Sequence, residues 1–427
     1  MRLKNLIEYV SGGIWGEEPD GCENDVLCVR AADFDRVKQR VDNRKQPWRH
    51  VDASARAKNL LSPGDLILEK SGGGEKQSVG AVILFDKDEP SVCSNFCARL
   101  KPASGYDSRF LAYVFAAAYS EGLPAAYVKQ TTGIQNLDSS AYLASPWAVP
   151  SLEEQRRIAD FLDAETVRID RLIRSLSELK RLLSVRRMSA IHALVTGATE
   201  TLKKPSGLSW AHEIPYHWRS ARVGFFARMG SGHTPSRSRP EWWKDPKYGW
   251  ITTGEVAQVR DDRREVITET REKISELGLE NSSAVLHPKG TVVLCRTASA
   301  GYSAVMGKEM ATSQDFVTWT CGKNLDPFYL LWCLRAMRPD LLGRLATGST
   351  HKTIYVPDLQ MLKMPVPPID EQREIVASVR TGNEKADALL DAVSVQTRLL
   401  EERRRAVVTA AVTGELDVTT ARGVSSM

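Results

Sequence analysis

Pro150-Ser151-Leu152-Glu153-Glu154-Gln155-Arg156-Arg157-Ile158 and Pro367-Pro368-Ile369-Asp370-Glu371-Gln372-Arg373-Glu374-Ile375 are two copies of one stretch, and Val195-Thr196-Gly197 returns as Val412-Thr413-Gly414. Both pairs lie 217 residues apart, so no insertion or deletion separates the copies, as a continuous helix of fixed length demands. Ser151 with Glu154 three residues later is a capping-box start. Leu162, Ile169, Leu176 and Leu183 recur every seven residues with Leu172 and Leu179 at the intervening seam position, and Val379, Ala386, Val393 and Leu400 repeat the pattern. Glu165, Arg186, Gly382, Gln396 and Arg403 interrupt this narrow stripe. The pattern predicts two long helices packed on each other rather than a self-sufficient homodimeric zipper. At about 1.5 Å per residue, each spans roughly 60 Å.

Outward from these helices, the chain divides into a domain at 1–149, a helix at 150–197, a polar linker at 198–217, a second domain at 218–366, a second helix at 367–414 and a tail at 415–427. Each domain reads as mixed α/β, with short apolar runs between Gly, Pro, Asn and Asp. Val26-Leu27-Cys28-Val29, Leu66-Ile67-Leu68 and the run from Val79 to Phe85 are strand candidates, and Phe110 to Tyr119 is a short buried helix. The second domain repeats this order. Gly230-Ser231-Gly232 stands for Ser11-Gly12-Gly13, Ile251 to Val256 for Val29 to Phe34, and Gly290 to Leu294 for Gly64 to Leu68. Thr347 to Ile354 precedes the second helix as Thr132 to Leu137 precedes the first. The fold class is therefore α+β: two similar domains and two long helices in a pseudo-two-fold internal repeat. Scaffold positions match while the stretches between them differ, so the domains share a fold without reading the same target.

At 427 residues the chain exceeds one ordinary core, and 42% hydrophobic with 26% charged residues is a globular composition. No run reaches the length of a membrane span, and no secretory apolar segment follows Met1; a cytoplasmic location is expected. Seven cysteines without an export signal favour reduced thiols. Neither they nor the seven histidines show metal-ligand spacing, so no metal site is expected. A net charge of +5 is compatible with nucleic acid.

Several fragments imitate catalytic motifs, and the repeat tests them. Asp326-Pro327-Phe328-Tyr329 resembles an amino-methyltransferase loop but lacks its second proline and runs into an apolar helix; a helix start is the better reading. Asp65 with Glu69-Lys70 hints at a metal nuclease, yet the second copy has Thr291 and Arg296, which cannot supply the carboxylates such chemistry needs. The glycine run Ser71 to Ser78 lacks the Gly-Lys-Ser/Thr ending of a phosphate loop. No catalytic residue is expected. Lys180, Arg181, Arg186, Arg187 and Arg403 to Arg405 read as solvated helix faces in preference to phosphate contacts.

Taken together, the paired helix openings, the Val-Thr-Gly endings, the central segment from Ser206 to Trp218 and Ser231-Gly232-His233-Thr234-Pro235 resemble the specificity subunits of type I restriction-modification systems, over nearly the whole chain. The resemblance implies two target-recognition domains at opposite ends of an antiparallel coiled coil, each reading half of an asymmetric bipartite site in double-stranded DNA. It implies a non-enzymatic subunit in a phage-defence complex, with S-adenosylmethionine, ATP and Mg on partner subunits: two modification subunits, which methylate adenine N6, and restriction subunits. Glu154, Gln155, Arg156, Glu371, Gln372 and Arg373 would dock the partners. Base contacts are expected from Lys70, Lys76, Gln77, Gln135 and Asn136 in the first domain and from Arg296, Thr297, Ser299, Tyr302, His351 and Lys352 in the second, because Arg and Lys suit guanine edges and Asn and Gln suit adenine. The alternatives are a coiled-coil adaptor of another defence complex and a fused DNA methyltransferase or nuclease.

Overall fold

The computed structural model describes residues 1–42, 46–74, 77–131, 133–346 and 352–419. It divides into two compact units, Met1–Ser177 with Val395–Met427, and Glu178–Ser394. The long helices Leu152–Thr196 and Ile369–Thr413, 45 residues each, contribute to both.

In the first unit a six-stranded sheet runs in the order Ile7–Gly12, Cys97–Pro102, Leu66–Glu69, Val82–Leu84, Arg40–Val41, Phe34–Asp35. Val82–Leu84 and Arg40–Val41 pair in parallel; the other neighbours are antiparallel. Leu66 to Glu69 is buried throughout: the apolar run Leu66 to Leu68 is covered on both faces, and Glu69 is paired with Arg36. One face carries the helix Ser108–Ser120, capped by Asp107, whose carboxylate accepts from the Arg109 and Phe110 amides. The other packs Phe34, Ile67, Ile83 and Phe85 together. A smaller sheet pairs Asp25–Val29 antiparallel with Trp48–His50 and parallel with Ser91–Cys93.

The second unit repeats this topology. Its five-stranded sheet runs Ala227–Ser231, Phe316–Cys321, Val292–Cys295, Ser303–Met306, Val266–Ile267, and its last pair is parallel, where the first sheet carries one further short strand beyond its parallel pair. Tyr248–Ile251 pairs antiparallel with Lys273–Ile274 and parallel with Met310–Thr312. Asp326 accepts from the Phe328 and Tyr329 amides at 2.8 and 3.1 Å and so starts the helix Pro327–Ala336, as the sequence implied. The matched glycines are explained by a close crossing. A Cβ on Gly13 would stand 2.1 Å from the Ser94 carbonyl oxygen, and one on Gly232 would stand 2.1 Å from that of Thr312.

Both domains close the same way ahead of their long helix. Leu3 N donates to Ser145 O and the Met1 ammonium to Trp147 O, while Arg219–Arg222 pairs with Lys363–Val366. The stretch read as a polar linker holds a hairpin, Lys203–Pro205 with Glu213–Pro215.

The Ser151 hydroxyl accepts from the Glu154 amide at 3.3 Å, the first half of the capping box. The Glu154 carboxylate turns instead to Arg157, 2.5 Å away. In the first unit the opening of the first long helix packs on the close of the second: Ile158, Leu162 and Ile169 are buried on one, Val408, Ala411 and Val412 on the other. The seam interruptions Glu165 and Arg403 meet at 3.0 Å, and Asp170 meets Arg404 at 3.1 Å. In the second unit the close of the first helix meets the opening of the second, which makes the pairing antiparallel. There Arg187 reaches Asn383 Oδ1 at 2.9 Å and Asp387 at 3.1 Å.

Two expectations about these helices are corrected. Arg187 is buried rather than on a solvated face, because Asn383, Asp387 and the Asp262 carbonyl take up its guanidinium. Leu172 and Leu179, placed on the seam by heptad counting, face outward, 47% and 43% exposed, while Ile173, Leu176 and Leu183 are half-buried. The seven-residue positions hold, but the second seam position lies four residues after them, at Thr166, Ile173 and Arg187, and not three after.

Candidate nucleic-acid interface

Lys70 follows the strand Leu66–Glu69, and Arg296 follows its counterpart Val292–Cys295. The Lys70 carbonyl accepts from Leu137 N at 2.8 Å, and the Arg296 carbonyl accepts from Ile354 N at 2.8 Å. Leu137 and Ile354 are themselves 217 residues apart. Each domain thus brings the loop after a core strand against the segment that leads into its long helix, and puts a basic residue at that junction. Neither the Gly-rich loop nor the pre-helix loop suggests this meeting when read alone.

In the first domain the junction is a three-stranded sheet, Val128–Thr131, Ile134–Leu137 and Ser71–Gly72, in which Gln135 lies opposite Gly72 and Asn136 opposite Ser71. Asn136 is exposed and its Oδ1 accepts from the Ser71 hydroxyl at 2.6 Å. Gln77 is exposed at the turn it forms with Gly74. Gln135 is a correction: its Oε1 accepts from Val79 N at 3.2 Å and its Nε2 donates to Gly74 O at 3.4 Å, so the amide braces the glycine loop and is not presented to a base. Lys76 lies outside the described residues.

In the second domain Arg296 Nε donates to Gln314 O at 3.0 Å, which orients the guanidinium along the loop. The Thr297 hydroxyl donates to Asp315, and Ala298 turns the chain with φ of +54°, a conformation that costs a non-glycine residue energy. Ser299 is half-buried in this turn and Lys352 is exposed. Tyr302 is the second correction. Its ring packs on the Val256, Val259 and Phe316 core and lies 4.5 Å from the Arg338 guanidinium and 5.4 Å from that of Arg260, so it supports the loop from beneath. His351 lies outside the described residues.

The sequence missed a cavity of about 480 Å³ beside the first junction, lined by Trp15, Arg30, Ala31, Ala32, Glu69, Ser71, Gly72, Gly73, Ser94, Asn95 and Phe96. Trp15 is covered by Arg49, whose guanidinium stands 4.3 Å from the ring, and Phe96 is exposed. Glu69 is buried and paired with Arg36 at 2.8 Å. Burial pushes its carboxyl up although Arg36 pulls it down. Aromatic faces with arginines at a glycine-lined rim suit a nucleic acid, whose bases stack and whose phosphates attract cations. These residues lie far apart in the chain, and no local motif marks them.

The docking residues divide in two. Arg156 and Arg373 are exposed at the helix starts, and Glu154 is half-buried beside them. Gln155 and Gln372 are corrected from surface to interior, 1% and 0% exposed. Gln155 Oε1 accepts from Asp107 N at 3.0 Å and its Nε2 donates to Pro150 O at 2.9 Å. Gln372 Oε1 accepts from Asp326 N at 2.8 Å and its Nε2 donates to Pro367 O at 2.9 Å. In both domains the glutamine ties the long helix to the cap of the buried helix, and this explains its recurrence. Glu371 accepts from Trp218 Nε1 at 2.7 Å and lies 3.0 Å from His217 Nε2, so it too anchors its own domain.

Residues 41–180 and 215–381 match the family described as type I restriction modification DNA specificity domain. The chain is 26% identical over 192 residues to the type I restriction enzyme MjaIX specificity subunit of Methanocaldococcus jannaschii, covering 44% of this chain and 42% of that protein. It is 24% identical over 228 residues to the EcoR124I/EcoR124II specificity subunit of Escherichia coli, covering 51% and 53%. The matched region is thus about half the length of these two relatives. A third, the StySPI specificity subunit of Salmonella potsdam, is 22% identical over 83% of this chain and 75% of its own. Among solved structures, a chain from a study of complex assembly and conformational transition of the type I R-M system superposes with a TM-score of 0.68 at 18% identity, over 97% of both chains. The HsdS subunit of Thermoanaerobacter tengcongensis superposes with 0.54 at 18% identity, over 97% of this chain and 96% of that one. These two likenesses concern the fold.

Proposed function

The chain belongs to the type I restriction modification DNA specificity family, and from that premise we propose that it is the non-catalytic reader of an asymmetric bipartite site in double-stranded DNA, one half-site per domain. The observation that carries this reading is the recurrence of one junction with different side chains: Lys70 with Gln77 and Asn136 in one domain, Arg296 with Thr297, Ser299 and Lys352 in the other. A shared scaffold with unlike polar residues at the same place is what two readers of different sequences require. Arg296 is a candidate for a guanine edge, Asn136 for an adenine edge, and the lysines for guanine or phosphate.

The long helices recruit the catalytic partners and fix the interval between half-sites in this reading. Val167, Leu172, Leu179, Leu182 and Val185 on the first helix and Leu389, Val395 and Leu399 on the second are each more than 40% exposed, an unusual apolar load for a solvated helix face. Partner helices of two modification subunits would cover them, with Glu154, Arg156 and Arg373 at the rims. S-adenosylmethionine, ATP and Mg are then assigned to the modification and restriction subunits. Among the described residues no helix is long and apolar enough to cross a membrane.

The test is to express the chain with its modification partner, map the methylated adenines, and repeat with Lys70→Ala and Arg296→Ala. Each substitution should relax positions in a different half-site, at roughly 1–3 kcal/mol per lost base contact. A contiguous motif, or loss of discrimination in both halves from either change, would contradict the reading.

A further inference from the structure

We propose that the first domain holds a zinc ion between Asp20, Cys22, Asp25 and His50. No ligand spacing along the chain hints at it, because the ligands come from a turn, the start of one strand and the end of another. Register brings them together: Asp25 lies directly opposite His50 in the antiparallel pair, and Glu17 bonds to both sides of the His50 backbone, which turns the loop with Asp20 and Cys22 over the imidazole. One carboxylate oxygen from each aspartate, the Cys22 sulfur and a His50 ring nitrogen all lie within 4.8 Å of one another.

The distances from His50 Nδ1 are 3.3 Å to Asp20 Oδ1, 3.4 Å to Cys22 Sγ and 3.6 Å to Asp25 Oδ1. Zinc bonds of about 2.0–2.3 Å put neighbouring ligands of a tetrahedron about 3.3–3.8 Å apart, so all three values are tetrahedral edges. The surroundings pre-orient the set. Gly21 N donates to Asp25 Oδ2 at 2.8 Å, Cys22 N to Asp20 Oδ1 at 3.0 Å, and Asn24 N to the Cys22 sulfur at 3.3 Å. The other ring nitrogen of His50 has a carboxylate 4.0 Å away, on Asp52, the group that commonly fixes the tautomer of a metal-bound imidazole. One thiolate, one imidazole and two carboxylates suit zinc better than calcium or magnesium, which prefer oxygen alone. The remaining thiols of this domain, Cys28, Cys93 and Cys97, are buried in its core and offer no competing site.

Binding releases the Cys22 proton to solvent and ties the loop to the sheet edge. That loop also carries Trp15, on the wall of the cavity beside the Lys70 junction. The ion is structural here: four protein ligands complete its shell and leave no position for a reacting water.

Chelator-treated full-length chain, titrated with zinc chloride against a chromophoric chelator, should take up one equivalent. With cobalt(II) instead, it should show a thiolate-to-cobalt charge-transfer band and the intense visible bands of a tetrahedral ion. Cys22→Ser should abolish the charge-transfer band and weaken zinc binding by more than the about hundredfold that loss of an outer-shell partner can cause. Asp20→Asn, also at an exposed position, should weaken it while the circular dichroism of the chain is unchanged. The proposal is overturned if the folded chain takes up no stoichiometric zinc, or if uptake and the cobalt band persist in Cys22→Ser.

Discussion

Gln155 and Gln372 show how a residue can look functional and be architectural. Each ends its hydrogen bonds inside its own domain, on a cap amide and a proline carbonyl, so replacement by alanine strands buried polar groups. Gln372→Ala should lower stability by about 1–3 kcal/mol in chemical denaturation, and Gln155→Ala by a similar amount, with no change in the DNA motif read by the complex. His287 gives a pH signature. Burial holds its imidazole below the ordinary 6.5, so the folded chain resists a proton that the unfolded chain accepts. Stability should therefore be full above 6.5 and fall as the pH drops below it, and His287→Gln should flatten that decline in a pH series of thermal melts. Sequence reasoning singled out Lys70, Arg296 and Asn136 because polar residues stand out between apolar runs, and the structure sets them at the two junctions. It misplaced Gln135 and Tyr302 because whether a polar tip is free depends on partners from distant segments, Val79 and Gly74 for one and Arg338 for the other.

At the scale of elements, the repeat was legible because its constraints are local: a cap, an apolar period, a fixed length. The matched glycines were legible too, but their cause was not, since the carbonyls they approach belong to another strand end. Gly13→Ala and Gly232→Ala should each destabilise by about 1–3 kcal/mol, read by denaturant titration, because a new Cβ meets backbone rather than a yielding side chain. The helix seam was half legible. The heptad pattern predicted packed helices with polar interruptions, and Glu165 with Arg403 supplies one such pair. The burial of Arg187 was not foreseeable, because its acceptors include carbonyls of the Asp261-Asp262 turn. Arg187→Ala should cost about 1–3 kcal/mol by stranding Asn383 Oδ1 and the Asp262 carbonyl and leaving Asp387 to Arg263 alone, whereas Glu165→Gln, with a largely exposed partner in Arg403, should cost less than about 1 kcal/mol.

At the scale of the molecule, duplication explains the division of labour we propose. One fold made twice presents the same junction twice, and in the proposed reading divergence at Lys70 and Arg296 gives each copy its own target. On the same proposal the antiparallel helices act as the measure between the readings, which separates what is read from how far apart it is read. That separation can be tested directly by inserting one heptad into the exposed middle of both long helices and mapping the methylated adenines made by the complex. If the helices set the interval, the half-site sequences stay unchanged while the spacer between them alters. Altered half-site sequences would contradict that role.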